Sequence, residues 1–137
     1  MTQEYRSDKL ENVLRRLHRV VDGITASVIV NVDGLLVASY PPGPLSDDED
    51  DVPTSSPQVA AMAATLLGLA EHTLERLAQG QLDRILMEGE QGLLLIYPAG
   101  QIAAVAILLT RDARLDHAFF ATHKAAGEVL ALLNPGG

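Results

Sequence analysis

The side chains from which this sequence could assemble a reactive site are few, and their spacing scatters them. The four histidines, His18, His72, His117 and His123, all fall in stretches of helical periodicity. Each neighbours charged residues rather than a second histidine at the spacing a metal-ligand pair needs. His117 and His123 stand too far apart along a helix to share a face. There is no cysteine, which removes disulfides, thiolate metal sites, iron–sulfur ligation and thiol nucleophiles together. Gly-x-Ser-x-Gly, His-Glu-x-x-His, Gly-x-Gly-x-x-Gly and P-loop patterns are also missing, so the better-known hydrolase, metalloprotease, dinucleotide and nucleotide-triphosphate signatures do not apply. Asn31 sits among apolar strand residues and is accounted for by a strand's solvent-facing side. Asp33 would serve as a carboxylate catalyst only if it were not followed by Gly34, and the pair reads as a turn. These residues assign no catalytic group, cofactor or metal.

Two charged clusters remain. Asp47, Asp48, Glu49, Asp50 and Asp51 offer oxygen ligands to a hard cation. An EF-hand loop, however, alternates its carboxylates and turns on a glycine, and the run does neither. It lies within a proline- and serine-rich stretch, Pro41 to Pro57, that cannot bury enough apolar surface to offset its ordering entropy and reads as a mobile loop. Arg15, Arg16 and Arg19 form the basic cluster. It could dock an acidic partner, although a solvated helix face is the commoner meaning of such a row. The formal net charge is −8, a balance that repels phosphate backbones and anionic lipid surfaces, so nucleic acid and membrane are not expected partners. The polar N-terminus, followed by a charged helical pattern, resembles neither a signal nor a transit peptide, which points to the cytoplasm.

The elements that carry these residues follow from periodicity. The chain has 137 residues, enough for one domain, of which 47% are hydrophobic and only 4% aromatic, so aliphatic side chains and close-packed alanines must build the core. Leu10, Val13, Leu14, Leu17, Val20 and Val21 form one helical stripe, with Asp8 and Glu11 spaced as a capping box and Gly23 as the stop. Two β-branched, apolar runs, Ser27 to Val32 and Leu35 to Tyr40, flank Asp33-Gly34, the spacing of a two-residue type I′ hairpin. A second helix begins at Ser56-Pro57 and runs to Gln79, before Gly80. Its apolar stripe is Val59, Met62, Ala63, Leu66, Leu69, Ala70, Leu74 and Leu77, the width needed to lie on a sheet. On the other side Ala61, Thr65, Gly68 and His72 line up at helical spacing. That row is either a face where another helix approaches closely or an alanine-rich face turned to water. Gly68 favours packing, because a helical glycine costs about 1 kcal/mol against alanine unless the space is used.

Three further strands follow, Asp83 to Glu88, Leu93 to Tyr97 and Gln101 to Leu109, with turns at Gly89 to Gly92 and Pro98 to Gly100. Those turn residues interrupt the apolar stretch Leu93 to Thr110, so it does not cross a bilayer. A last helix runs from about Asp116 to Leu133 and ends at Asn134-Pro135. The order helix, two strands, helix, three strands, helix predicts an α+β fold with a largely antiparallel sheet covered by helices.

This order, the hairpin Val28 to Ser39 and the alanine-rich helix Val59 to Leu77 resemble the roadblock / dynein light chain family, including its MglB-like bacterial members. Gly92 to Tyr97 and Ala103 to Leu109 are similar to that family's last two strands. The resemblance covers about Asp8 to Leu133. It implies a single α/β/α sandwich with a five-stranded antiparallel sheet, the second helix on one face and the first and third on the other. It also implies a homodimer in which second helices pack together and third strands pair, an expectation that falls on Ala61, Thr65, Gly68, His72, Arg84, Leu86 and Glu88. Family members bind small Ras-like GTPases or act as scaffolds and adaptors, and do not themselves bind nucleotide. An arginine finger from Arg84 or Arg76 is conceivable, but the residues select neither. The long acidic insertion at 41–57 departs from the family's compact form.

Overall fold

Apolar residues recurring every three or four positions need a surface to bury against, and here a single sheet supplies it on both sides. The computed structural model describes residues 2–41 and 56–134. Its elements are α1 (Thr2–Val20), β1 (Ile24–Asn31), β2 (Leu36–Tyr40), α2 (Ser56–Arg76), β3 (Ile85–Glu88), β4 (Leu93–Ala99), β5 (Ala103–Leu109) and α3 (Leu115–Leu133). The five strands lie in the order β2-β1-β5-β4-β3, every neighbouring pair antiparallel. The α+β architecture and element order therefore match the sequence reading. The acidic run Asp47 to Asp51 lies outside the described residues.

The pleat sorts the strand residues between two cores. Ser27, Ile107, Leu95 and Leu86 share one row across the sheet, and this side packs under α1 and α3 with Leu10, Leu14, Ala118 and Val129. The next row, Val28, Ala106, Ile96 and Ile85, faces the other way and packs under α2 with Val59, Ala60, Ala63 and Leu67. Alanines Ala104 and Ala106 in the sheet oppose alanines Ala60 and Ala63 of the helix, so the scarcity of aromatic residues is resolved by close approach of backbones rather than by bulk.

Four local features depart from the sequence reading. α1 starts at Thr2, so Asp8 is interior, and Glu11 pairs with Arg15 one turn on at 3.0 Å rather than reaching back to a cap. The first hairpin has a three-residue loop, Val32 to Gly34, in which Gly34 alone takes positive φ, at 87°. The Gly34 N–H donates to the Asn31 carbonyl and the Asn31 N–H to Leu35, both at 3.0 Å, the pattern of a type I turn with a glycine bulge. The cause is Asn31, whose Oδ1 accepts from the amides of Asp33 at 2.9 Å and Leu35 at 3.0 Å. Its polar intrusion into the strand is thus a turn clamp. At its end α2 stops at Arg76, and Ala78, not Gly80, is the first residue to take positive φ, at 56°. Gln79 donates to the Leu74 carbonyl at 2.9 Å and Ala78 to Glu75 at 3.1 Å, closing the helix so that Leu82 returns to the α2 core. Finally, β4 runs through Pro98 to Ala99. β3 pairs only with residues 93–96, so the missing proline amide falls beyond its reach.

Candidate functional site

One juxtaposition has the look of nucleophilic chemistry. His18 Nε2 lies 2.9 Å from Ser27 Oγ. Ser27 is buried beneath α1, however, and its hydroxyl also lies 3.4 Å from the Tyr40 carbonyl. A hydroxyl sealed under a helix is not placed to attack a substrate. The ring of His18 also meets Tyr40 edge-on at 4.8 Å, and burial pushes its pKa below the ordinary value. The group pins α1 to the hairpin. His123 rests edge-on against Tyr97 at 5.7 Å, while His72 and His117 are exposed. Among the described residues no three His, Asp or Glu side chains converge as a metal site.

Two open surfaces lie on α2 and at β3. Ala61, Thr65, Gly68 and His72 all point away from the sheet and are exposed. A Cβ added to Gly68 would meet nothing within 4 Å. Beside the row stand Met62 and Leu69, 52% and 62% exposed. Both were assigned above to the sheet-facing stripe, which is corrected here: the stripe centres on Val59, Ala60, Ala63 and Leu67, and this rotation carries Met62 and Leu69 outward. Alanine is apolar enough to sit on either side, so periodicity alone could not fix the angle. Thr65 donates its hydroxyl to the Ala61 carbonyl at 3.0 Å and Thr73 to Leu69 at 2.7 Å. Those polar groups are satisfied within the helix, and water can leave this face without orphaning them.

β3 is the short edge strand on the far side of β4. Its pleat divides the remaining candidates. Leu86 packs towards the α1/α3 core, while Arg84, just ahead of the strand, places its guanidinium 4.0 Å over the Phe119 ring of α3. Glu88 is exposed. On the α2 side of the sheet the strand presents Ile85 and Met87 instead, and Met87 is 45% exposed at the edge. Arg76, at the end of α2, is exposed. The α2 row and β3 therefore share one side of the sheet through Met87, and Arg84 and Leu86 lie on the other. Sequence reasoning passed over Met87; the signal available was the period-2 alternation with Ile85.

What the fold and these surfaces define is an α/β/α domain that leaves a helix face and a strand edge bare. The chain belongs to the Roadblock/LC7 domain family, whose model matches residues 9–109. Domains of this family are generally non-enzymatic regulators or adaptors. Two proteins of uncharacterised function from Methanocaldococcus jannaschii are 33% identical over 107 residues, covering 78% of this chain and 82% of theirs. Among solved structures, a Roadblock/LC7 domain from Streptomyces avermitilis superposes with a TM-score of 0.77 at 22% identity, covering 90% of this chain and 96% of that one. Myxococcus xanthus MglB superposes with a TM-score of 0.77 at 14% identity, covering 93% and 90%. The gliding protein MglB from Thermus thermophilus gives 0.78 at 14%, covering 96% and 93%. At such identities these structures bear on the fold, and they agree with the sandwich described above. No helix among the described residues is long and apolar enough to cross a membrane.

Proposed function

We propose that this domain works in the cytoplasm as a homodimer, joined through the outer face of α2 and the edge of β3, and that the dimer binds a small Ras-like GTPase and biases its nucleotide cycle without catalysing chemistry itself. The observation that carries the dimer is the outer face of α2: small, apolar at its flank, and with its hydroxyls already satisfied. A second copy of the helix laid on this row would cover Met62 and Leu69 and use the open space at Gly68. Pairing of two β3 edges would satisfy their free backbone groups, and Met87 would then lie beside the partner's helix. In this arrangement Ala61, Thr65, Gly68 and His72 contribute side-chain surface, whereas Arg84, Leu86 and Glu88 contribute mainly through their backbone.

Membership of the family and likeness to the MglB structures support the GTPase reading. Arg84 is engaged with Phe119, which disfavours it as an inserted arginine and favours ordering of the partner's switch loops as the route. The alternative is a passive scaffold that joins larger proteins through the same dimer. Gly68→Glu tests the interface: its new side chain has room within the chain and gains helix propensity, so the fold should hold while the mass in solution falls from dimer to monomer. An unchanged dimer refutes the interface. A small GTPase encoded beside this gene should bind the dimer and change its hydrolysis or exchange rate. If it does neither while non-GTPase partners bind, the scaffold reading replaces this one.

A further inference from the structure

Across the sheet from α2, a groove of about 300 Å³ runs between α1 and α3. Its floor is apolar and buried, made by Val13, Leu17, Ala121 and Ala125. At its lips stand Val20, 53% exposed, and Phe120, 72% exposed, the barest large hydrophobic side chain among the described residues. Among the described residues nothing covers them, and a phenylalanine held in water beside an apolar floor is a poor use of the most hydrophobic kind of side chain.

The groove's lining carries Arg16 and Lys124 against the single carboxylate of Glu128, and Arg19 stands in an adjoining hollow that shares Arg16. The chain carries −8 overall, yet α1 and α3 hold six of its ten basic residues, Arg6, Lys9, Arg15, Arg16, Arg19 and Lys124, against five acidic ones, so this layer is not acidic like the rest. Arg15 is paired with Glu11 at 3.0 Å and Arg16 with Glu128 at 3.6 Å. Arg19 and Lys124 have no ion pair among the described residues. We infer that the groove is a docking site for an acidic amphipathic helix of another protein, with one aromatic or branched apolar side chain seated between Val20 and Phe120 and carboxylates meeting Arg16, Arg19 and Lys124. Apolar floor, exposed anchor and cationic rim together are what such a helix requires. An anionic membrane fits less well, because the apolar surface is concave, only two large side chains project, and the molecule as a whole is repelled by anionic lipid. The site lies on the face of the sheet opposite α2, so it does not rest on the dimer proposed above, and such a dimer would carry two copies of it.

The test pans the full chain against a phage-displayed library of random peptides long enough for about four helical turns, then measures the enriched peptides by fluorescence anisotropy. Acidic peptides with an aromatic or leucine anchor should emerge, bind more weakly as salt rises, and lose at least about tenfold in affinity with Phe120→Ser and with the double change Arg19→Glu and Lys124→Glu. All three positions are exposed, so circular dichroism should be unchanged, and Gly68→Glu should leave this binding intact. The inference is overturned if no peptide is enriched, if the enriched peptides are basic or neutral, or if their binding survives Phe120→Ser. It is equally overturned if vesicles containing phosphatidylserine bind and the peptides do not, or if Phe120→Ser lowers the mass in solution, which would place a second copy of this chain in the groove.

Discussion

On one face of the sheet, Leu10 and Leu14 of α1 and the helix α3 bury Leu95 and Ile107 under two helices; on the other, α2 alone meets Ala104 and Ala106 with Ala60 and Ala63. The first face is filled with large side chains, each worth about 1.5–3 kcal/mol when buried, and also holds the polar pair His18 and Ser27. The second gains less from each contact but brings backbones close, and its helix keeps an apolar outer flank at Met62 and Leu69. The two-helix layer holds the domain together, and the thin layer leaves a helix free to pack elsewhere.

The comparison can be broken by asking each face to behave like the other. Leu14, wholly buried, should cost about 3 kcal/mol when cut to alanine, read as a lower urea midpoint; a cost under about 1 kcal/mol would mean that the two-helix layer does not carry the stability. On the α2 face the sensitive change is an increase. Ala63→Leu should overfill the contact with the sheet and cost about 2 kcal/mol, and a neutral result would show that α2 can lift away freely.

A smaller effect sharpens the picture of the two-helix layer, because its packing has one flaw. Thr122 in α3 is completely buried and its Oγ1 has no hydrogen-bond partner among the described residues. Thr122→Val keeps the shape and removes the orphaned hydroxyl, so the thermal midpoint should rise, by the equivalent of about 1 kcal/mol. The smallest effect is one of pH. Burial lowers the His18 pKa from its usual 6.5, so the unfolded chain takes up that proton more readily than the folded one. Its contribution is complete above about pH 6.5 and is lost as the pH falls through that value towards the lowered folded pKa. Denaturant midpoints compared near pH 7.5 and pH 5.5 should therefore fall less for His18→Gln than for the natural chain, and equal falls would clear the histidine of the effect.

How far the residues alone revealed all this depends on what each one does. The hairpin was legible because alternating β-branched residues around Asp33-Gly34 have few other uses, yet its loop was misread by one residue. The Asn31 side chain captures two amides, and a strand pattern does not announce a side chain that bonds its own turn. The small row on α2 was legible from spacing, while the angle of that helix was not. Alanine, leucine and methionine spread over more than half its circumference, and only the position of the sheet separates buried Ala63 and Leu67 from exposed Met62 and Leu69. The basic row on α1 was visible as a cluster. That Arg16 of this row lines an apolar groove depends on Phe120 and Lys124, about a hundred residues away in the chain.

By itself, then, the sequence determined the class of domain, the element order and the absence of cysteine chemistry, because these follow from composition and from periods of two and of about 3.6 residues. Tertiary structure decided which faces are sealed and which are bare. The pleat turns Arg84 and Leu86 to one side of the sheet and Met87 to the other, and the seating of α2 turns Met62 and Leu69 outward. Such orientations are set by how elements pack against one another, which no local pattern encodes.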